Sequence, residues 1–335
     1  MAKEQNAKRS DDVTDEMWEQ VNKFNRDMVH DYLSNQTHLS PKSLVGYTSA
    51  LRIYFWWVKE NLNNKFNYMD DDDFKKKEFL RYLNWLAGRE LSSSAMKFKK
   101  SSVSAFNKFI ESYYEDEYPL FRNYVTSEMQ IPQTGKVHEK KPLTPEQINF
   151  LCEELEKREE WEKLAYVLFS YSTGCRRAEA RQLLKEVADY EPIVKTVTVL
   201  DEDGKEVQAE SRSYKTHNIR CKGRSKVGKV RQFLFGEDAM NAIKKWLEVR
   251  GDDDCPYVFV IKQKNNGSVR QVGEDTFNGW CELFSKILNQ RVHPHLMRSS
   301  RATNLVVYDH RDLETAQKLL GHESIVTTEI YTHVN

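Results

Sequence analysis

Fourteen residues, Met129 to Pro142, break every apolar period in this chain and so divide it into two folding units. They read MQIPQTGKVHEKKP, with two prolines, one glycine and three lysines. Proline fixes φ and lacks a backbone donor, and nothing here recurs at a helix or strand interval. The stretch is therefore expected to be an extended basic linker. With 335 residues in all, the chain leaves each side enough surface to bury a core. The expected organisation is a polar tail at 1–14, a helical domain at 15–128, the linker at 129–142 and a second domain at 143–335.

Ahead of the linker the pattern is helical. Leu44, Tyr47, Leu51, Tyr54 and Val58 recur at intervals of three and four, the spacing of one helix face. Ser40-Pro41 supplies an N-cap and a first-turn proline. Phe79, Leu83 and Leu86 mark another helix, which Gly88 is placed to end. A third runs from about Ser93 to Tyr114, with Met96, Val103, Phe106, Ile110 and Tyr113 expected on its apolar side. Lys97, Lys100, Ser101, Ser104 and Lys108 share another side, and no acid occurs from Leu91 to Ile110. A face of lysines and serines suits phosphate oxygens. Taken alone, the same stretch reads more simply as a solvated surface helix.

Beyond the linker the pattern is mixed. Thr144-Pro145 opens a helix, with Gln147 placed for a capping box. Val194–Leu200 and Val207–Ala209 are expected as strands on either side of a turn-like DEDGK, with further strands at His217–Lys222 and Val230–Phe235. From Ala239 the reading is helical to the end. The expected fold class is mainly α with a small antiparallel β-sheet.

Several function classes drop out. No run approaches the roughly 20 apolar residues of a membrane span, and MAKEQNAKRSDD is not followed by the apolar segment of a secretory signal. The expected location is the cytoplasm. Five cysteines stand far apart without a CxxC, which favours reduced thiols over a disulfide framework or a zinc site. No Walker loop is present. The four consecutive acids Asp70–Asp73 cannot converge on one face, so a helix-start charge cluster is expected there rather than a cation site.

Fifty-one basic and 51 acidic residues cancel, a poor sign for a nucleic-acid binder. Charge acts locally, however, within a screening length of about 10 Å. Ile219 to Arg231 holds Arg220, Lys222, Arg224, Lys226, Lys229 and Arg231 without an acid. With Lys140 and Lys141 of the linker, this segment is expected to lie against a DNA backbone.

Four separated segments carry chemistry. They are Thr173-Gly174-Cys175-Arg176-Arg177-Ala178-Glu179, then Lys222-Gly223-Arg224 in a strand–turn–strand setting, then His295-Leu296-Met297-Arg298, then Leu320-Gly321-His322 with Tyr331 nine residues further on. Singly, each has an ordinary explanation as an ion pair, a satisfied histidine or an amphipathic aromatic. In this order and spacing they resemble the tyrosine recombinases, the family of phage integrases and Xer-type resolving enzymes. That family's pattern is T-G-x-R-x-x-E, a G-K-G-like hairpin, H-x-x-R, L-G-H and a tyrosine nine residues on. Ser40-Pro41-x-Ser43-Leu44-x-x-Tyr47 is similar to the family's core DNA-binding domain.

The resemblance implies a helical core DNA-binding domain and an α+β catalytic domain that together form a C-clamp on DNA. It makes Arg176 and Arg298 the phosphate clamp, Lys222 the hairpin lysine, His295 and His322 the paired histidines, and Tyr331 the nucleophile. Elementary chemistry fits that casting. Two guanidiniums stabilise charge that gathers on the non-bridging oxygens. A phenol with a pKa near 10 needs a base, and His295 can accept its proton. Lys222 can protonate the departing 5′ oxygen, and His322 can donate to the phosphate. The product would be a 3′-phosphotyrosine and a free 5′-hydroxyl, so strand exchange through a Holliday junction would need no ATP, metal or other cofactor.

Implied partners are double-stranded DNA with inverted-repeat core sites, a homotetramer of this chain on that DNA, and an accessory bending or excision factor, in a nucleoid-associated setting. An integrase of a phage, conjugative or transposable element is expected first, and Xer-type dimer resolution second. A type IB topoisomerase or a non-catalytic DNA-binding regulator are the remaining alternatives. Ser299-Ser300-Arg301 departs from the family, which usually has histidine directly after the second arginine and an apolar residue at 301, so Arg301 is expected to add a DNA contact. Arg177 rivals Arg176, and Lys226 and Lys229 rival Lys222; spacing and hairpin register favour Arg176 and Lys222. Four residues follow Tyr331, so subunit contacts are expected on a surface other than a long tail, or the natural protein is longer.

Overall fold

The computed structural model describes residues 12–65, 76–89, 91–131, 141–200, 205–221, 228–263, 265 and 267–321. Asp70–Asp73, Lys140, Lys222, Arg224, Lys226, His322 and Tyr331 lie outside the described residues. The described chain divides into two compact units, 12–131 and 141–321.

The first unit is built of α1 (Asp15–Glu19), α2 (Lys23–Asn35), α3 (Pro41–Asn61), α4 (Lys76–Gly88) and α5 (Ser93–Tyr113). Its longer helices begin where side chains replace missing backbone partners. Ser40 accepts from the Ser43 N–H with Pro41 in the first turn, and Ser92 accepts from the Ala95 N–H. Leu51, Tyr54 and Val58 of α3 pack with Phe79, Leu83 and Leu86 of α4 and Met96, Val103, Phe106 and Ile110 of α5, all of them buried. Each such side chain contributes about 1.5–3 kcal/mol by leaving water. The Tyr54 and Tyr124 hydroxyls satisfy each other at 2.6 Å inside this core.

Tyr113 does not join the apolar side as expected: it is 74% exposed, and Phe109 is buried instead. The helix stripe persists through Ile110, and among the described residues Tyr113 beyond it is left open. There an open groove of about 620 Å³ runs between α2 and α5, lined among others by Tyr32, His38, Phe109 and Tyr113.

The second unit runs α6 (Pro145–Lys157), α7 (Trp161–Thr173), α8 (Arg177–Ala180), a 3-10 turn (Lys185–Asp189), β1 (Ile193–Leu200), β2 (Glu206–Lys215), β3 (Ile219–Cys221), β4 (Lys229–Arg231), β5 (Leu234–Gly236), α9 (Glu237–Arg250), β6 (Val260–Lys262), β7 (Val269–Gln271), α10 (Glu274–Leu288), α11 (Pro294–Val307) and α12 (Leu313–Leu320). The expected capping box forms: Thr144 Oγ1 accepts from the Gln147 N–H at 3.3 Å, and Gln147 Oε1 accepts from the Thr144 N–H at 3.1 Å. Apolar α7 lies at the centre, its Tyr166 ring stacked 4.4 Å from Phe277 of α10.

All the strands are antiparallel. They form one three-stranded sheet in the order β1-β2-β5 and two small hairpins, β3-β4 and β6-β7. The single strand expected at Val230–Phe235 is two, β4 and β5. The chain changes sheets at Phe233, whose N–H donates to Thr216 Oγ1 and whose carbonyl accepts from the Thr216 N–H, both at 2.9 Å. The β6–β7 hairpin interrupts the region read as wholly helical. Three-residue strands are too short to show a period between two strongly amphipathic helices. Among the described residues no helix is long and apolar enough to cross a membrane.

Glu162, at the start of α7, holds β6 by accepting from the Val260 N–H at 2.7 Å. Burial nevertheless pushes its carboxyl up to about 7 from 4.5. The native state thus keeps a proton that the unfolded chain has released. The stability this carries is complete below about 4.5 and is lost as pH rises through about 7. The melting temperature should fall between about pH 5 and about pH 8, and Glu162→Gln should flatten that slope. Parallel melting curves for the two proteins across this range would show the account to be mistaken.

Candidate active site

The first arginine segment is shaped by a glycine. Gly174 ends α7 at φ +59, a conformation that side chains with a Cβ rarely adopt. A Cβ there would meet Leu320 Cδ2 at 2.9 Å and Leu319 Cδ2 at 3.1 Å, so the glycine also lets α12 pack onto the turn. Arg176 follows as the N-cap of α8. Its backbone N–H donates to Glu179 Oε2 at 2.7 Å and its Nη1 to Glu179 Oε1 at 2.9 Å. Glu179 is almost fully buried, so this carboxylate fixes both the main chain and the side chain of Arg176. Arg177 turns elsewhere, pairing with Glu274 at 3.0 Å and donating to Asn278 at 2.9 Å.

The second arginine segment opens α11, with Pro294 in the first turn. His295 and Arg298, three apart, share a helix face. Arg298 is completely buried; its Nη1 donates to Gly174 O at 2.5 Å and its Nη2 to Leu320 O at 2.6 Å. One guanidinium therefore joins three of the four sequence segments: its own, the turn before Arg176, and the helix end before His322. The polar residues after it have a structural task. Ser300 Oγ accepts from the Leu143 N–H at 2.8 Å, and Asn304 Nδ2 donates to Leu143 O at 3.0 Å. They fasten the start of the unit to α11. Arg301, expected to add a DNA contact, pairs with Asp309 at 3.0 Å and lies over the Tyr171 ring.

The β3–β4 hairpin pairs Ile219 with Arg231, Arg220 with Val230 and Cys221 with Lys229, which puts Lys222 directly after the last pair. Gln182 clamps its outer strand: Oε1 accepts from the Arg220 N–H at 3.1 Å, and Nε2 donates to Arg220 O at 2.9 Å. Burial pushes the Cys221 thiol up to about 12, with Glu179 adding to the rise and Arg231 and Arg176 opposing it. The Gln182 bonds, made just past the end of α8, place the hairpin beside the Arg176 turn. Neither Gln182 nor the inward role of Arg231 was apparent from the sequence, since no periodicity marks a side-chain amide that bonds to a strand edge.

The candidate backbone-contacting residues divide. Arg220 and Lys229 on the hairpin are exposed, as is Lys141, whose carbonyl accepts from Gln290 at 2.8 Å. Arg231 turns inward and donates from Nη2 to Leu319 O at 2.6 Å. On α5, Lys97, Ser101 and Lys108 are exposed, Lys108 at the groove described above. Lys100 and Ser104 are engaged within the unit: Lys100 Nζ donates to Met129 O at 2.6 Å, and Ser104 O and Oγ accept from Asn123 Nδ2 at 3.2 and 3.1 Å. Burial lowers the Lys100 pKa.

A helical unit joined to a mixed unit, with two arginine segments gathered on one turn and a lysine hairpin beside them, defines the class of tyrosine recombinases. Residues 141–335 match the model described as the phage integrase family, and the chain belongs to that family. It is a site-specific tyrosine recombinase. The SPbeta prophage-derived recombinase-like protein YomM of Bacillus subtilis (strain 168) is 30% identical over 324 residues, spanning 95% of this chain and 90% of that one. Among solved structures, the Tn1549 transposon integrase in complex with transposon right end DNA aligns with a TM-score of 0.65 at 15% identity, covering 93% of this chain and 95% of that chain. XerH bound to palindromic difH substrate aligns at 0.61 and 16% identity, covering 98% and 95%.

Proposed function

We propose that this recombinase integrates and excises a mobile genetic element by cutting double-stranded DNA with Tyr331. The phenol attacks the scissile phosphate, its proton passing to His295 and the leaving 5′ oxygen taking one from Lys222. A 3′-phosphotyrosine and a 5′-hydroxyl result, and the reverse steps on a partner strand rejoin the backbone through a Holliday junction. Arg176 holds the phosphate and His322 donates to it, while Arg298, buried and bonded to Gly174 O and Leu320 O, adds its charge from behind them, stabilising charge where it develops. The two units would close on a duplex with inverted-repeat core sites as a C-shaped clamp, four copies assembling in the cytoplasm with an accessory bending or excision factor.

The observation that carries the catalytic reading is the Arg298 guanidinium, which bonds to the turn before Arg176 and to the helix end before His322. Support for the mobile-element role comes from the prophage-derived relative across nearly the whole chain. A duplex nicked close to the cleavage point should trap the intact protein covalently on its own site, and no adduct on that site would overturn the reading. A host carrying the gene should yield a circular excised element. Resolution of plasmid dimers with no such circle would favour the Xer-type role instead.

Glu179 offers a finer test. Glu179→Gln keeps an acceptor for Arg176 but removes the charge that orients its guanidinium. Trapping at saturating protein should slow roughly tenfold, the scale of a slightly misplaced group. Wild-type trapping would show that Arg176 needs no such partner.

A further inference from the structure

The base of the β3–β4 hairpin meets the end of α12 through one side chain. Arg231 Nη2 donates to Leu319 O at 2.6 Å, and its guanidinium lies 4.4 Å from the centroid of the Phe233 ring. A Cβ on Gly321 would fall 2.1 Å from Arg231 Nη1, so the guanidinium fills space that only glycine leaves open. The next carbonyl, Leu320 O, is taken by Arg298. The last carbonyls of a helix lack intrahelical donors and carry partial negative charge, so a cation on each is stabilising. Arg298 relates this helix end to the Gly174 turn, and Arg231 relates it to the hairpin.

We propose that Arg231 is a positioning residue for strand cleavage. It keeps the end of α12, from which the chain continues to His322 and Tyr331, in register with the hairpin that leads to Lys222. The inference rests on the catalytic reading above. A planar fork can donate to a carbonyl while lying flat on a ring, which the ammonium of lysine cannot do. This orientation, directed at main chain and over an aromatic face, differs from that of a side chain presented to phosphate.

The test uses the full chain on the nicked trapping duplex. Arg231→Ala should slow covalent trapping at saturating protein roughly 10- to 100-fold, as expected for a displaced reacting group. Affinity for the uncut site should hold within about twofold, with its salt dependence unchanged. Guanidinium ion at sub-denaturing concentration should restore part of the rate, and Arg231→Lys should remain slow. Gly321→Ala, which presses on the guanidinium from the other side, should show the same separation of rate from affinity. Weaker binding with a salt slope smaller by about one and an intact saturating rate would make Arg231 a phosphate contact and overturn the proposal. A lowered melting temperature with no recovery in guanidinium would also overturn it, as a purely structural role. Tyr331→Phe separates the two levels. An adduct from that variant defeats the catalytic reading itself, whereas its loss alongside wild-type trapping by Arg231→Ala defeats the Arg231 inference alone.

Discussion

Tyr331→Phe is expected to abolish the covalent protein–DNA adduct while the protein still binds its duplex. Losing one hydroxyl removes no cation from the interface, so affinity, which rests mainly on phosphate neutralisation, should change by less than about twofold. Trapping should fall by at least ~10⁴-fold, the scale of removing a covalent nucleophile. Denaturing electrophoresis after incubation with the nicked duplex reads the adduct, and a mobility shift reads binding. Strand exchange by the variant at the wild-type rate would remove Tyr331 from the mechanism. Loss of both signals together would mean that position 331 serves folding or binding.

The second large effect is expected at Arg298. Its side chain is fully buried and bonded to Gly174 O and Leu320 O. Lysine can reach at most one of these carbonyls in a fixed geometry, and each buried carbonyl left without a donor costs about 1–3 kcal/mol. Arg298→Lys should therefore lower the melting temperature by several degrees, at about 2–4 °C per kcal/mol for a unit of this size. Trapping at saturating protein, measured well below the melting transition, should fall by about 10²-fold, as when the reacting groups are displaced by about an ångström. A variant that melts early yet cleaves normally would leave Arg298 as scaffold only.

Much of this was legible in the sequence because it is local. The caps at Ser40 and Thr144 and the apolar stripe of α3 each depend on residues within one or two helical turns. Spacing favours Arg176 over Arg177, and the two side chains take different partners, Glu179 for Arg176 and Glu274 for Arg177. What sequence could not give was set at long range. Lys100 faces Met129 and Ser104 faces Asn123, so a lysine–serine face that looked uniformly available is partly engaged. Arg231 belongs to a basic run by sequence but to the end of α12 by contact. The β6–β7 hairpin was hidden because its strands are three residues each, and the Glu162 carboxylate that holds Val260 lies 98 residues away.

The crowded rings of the first unit have an optical consequence. Of the seven tryptophans, Trp18, Trp56, Trp57 and Trp85 lie in that unit and Trp161, Trp246 and Trp280 in the other. Trp57 and Trp85 lie 5.5 and 5.9 Å from Tyr82, close enough for their electronic transitions to couple. In the other unit Trp280 lies 5.5 Å from Tyr166, so near-ultraviolet circular dichroism, which disappears when side chains lose fixed packing, should report ring packing in both halves. A melt followed by this dichroism and by tryptophan emission together can report, without any label, whether ring packing and tryptophan burial are lost in one step.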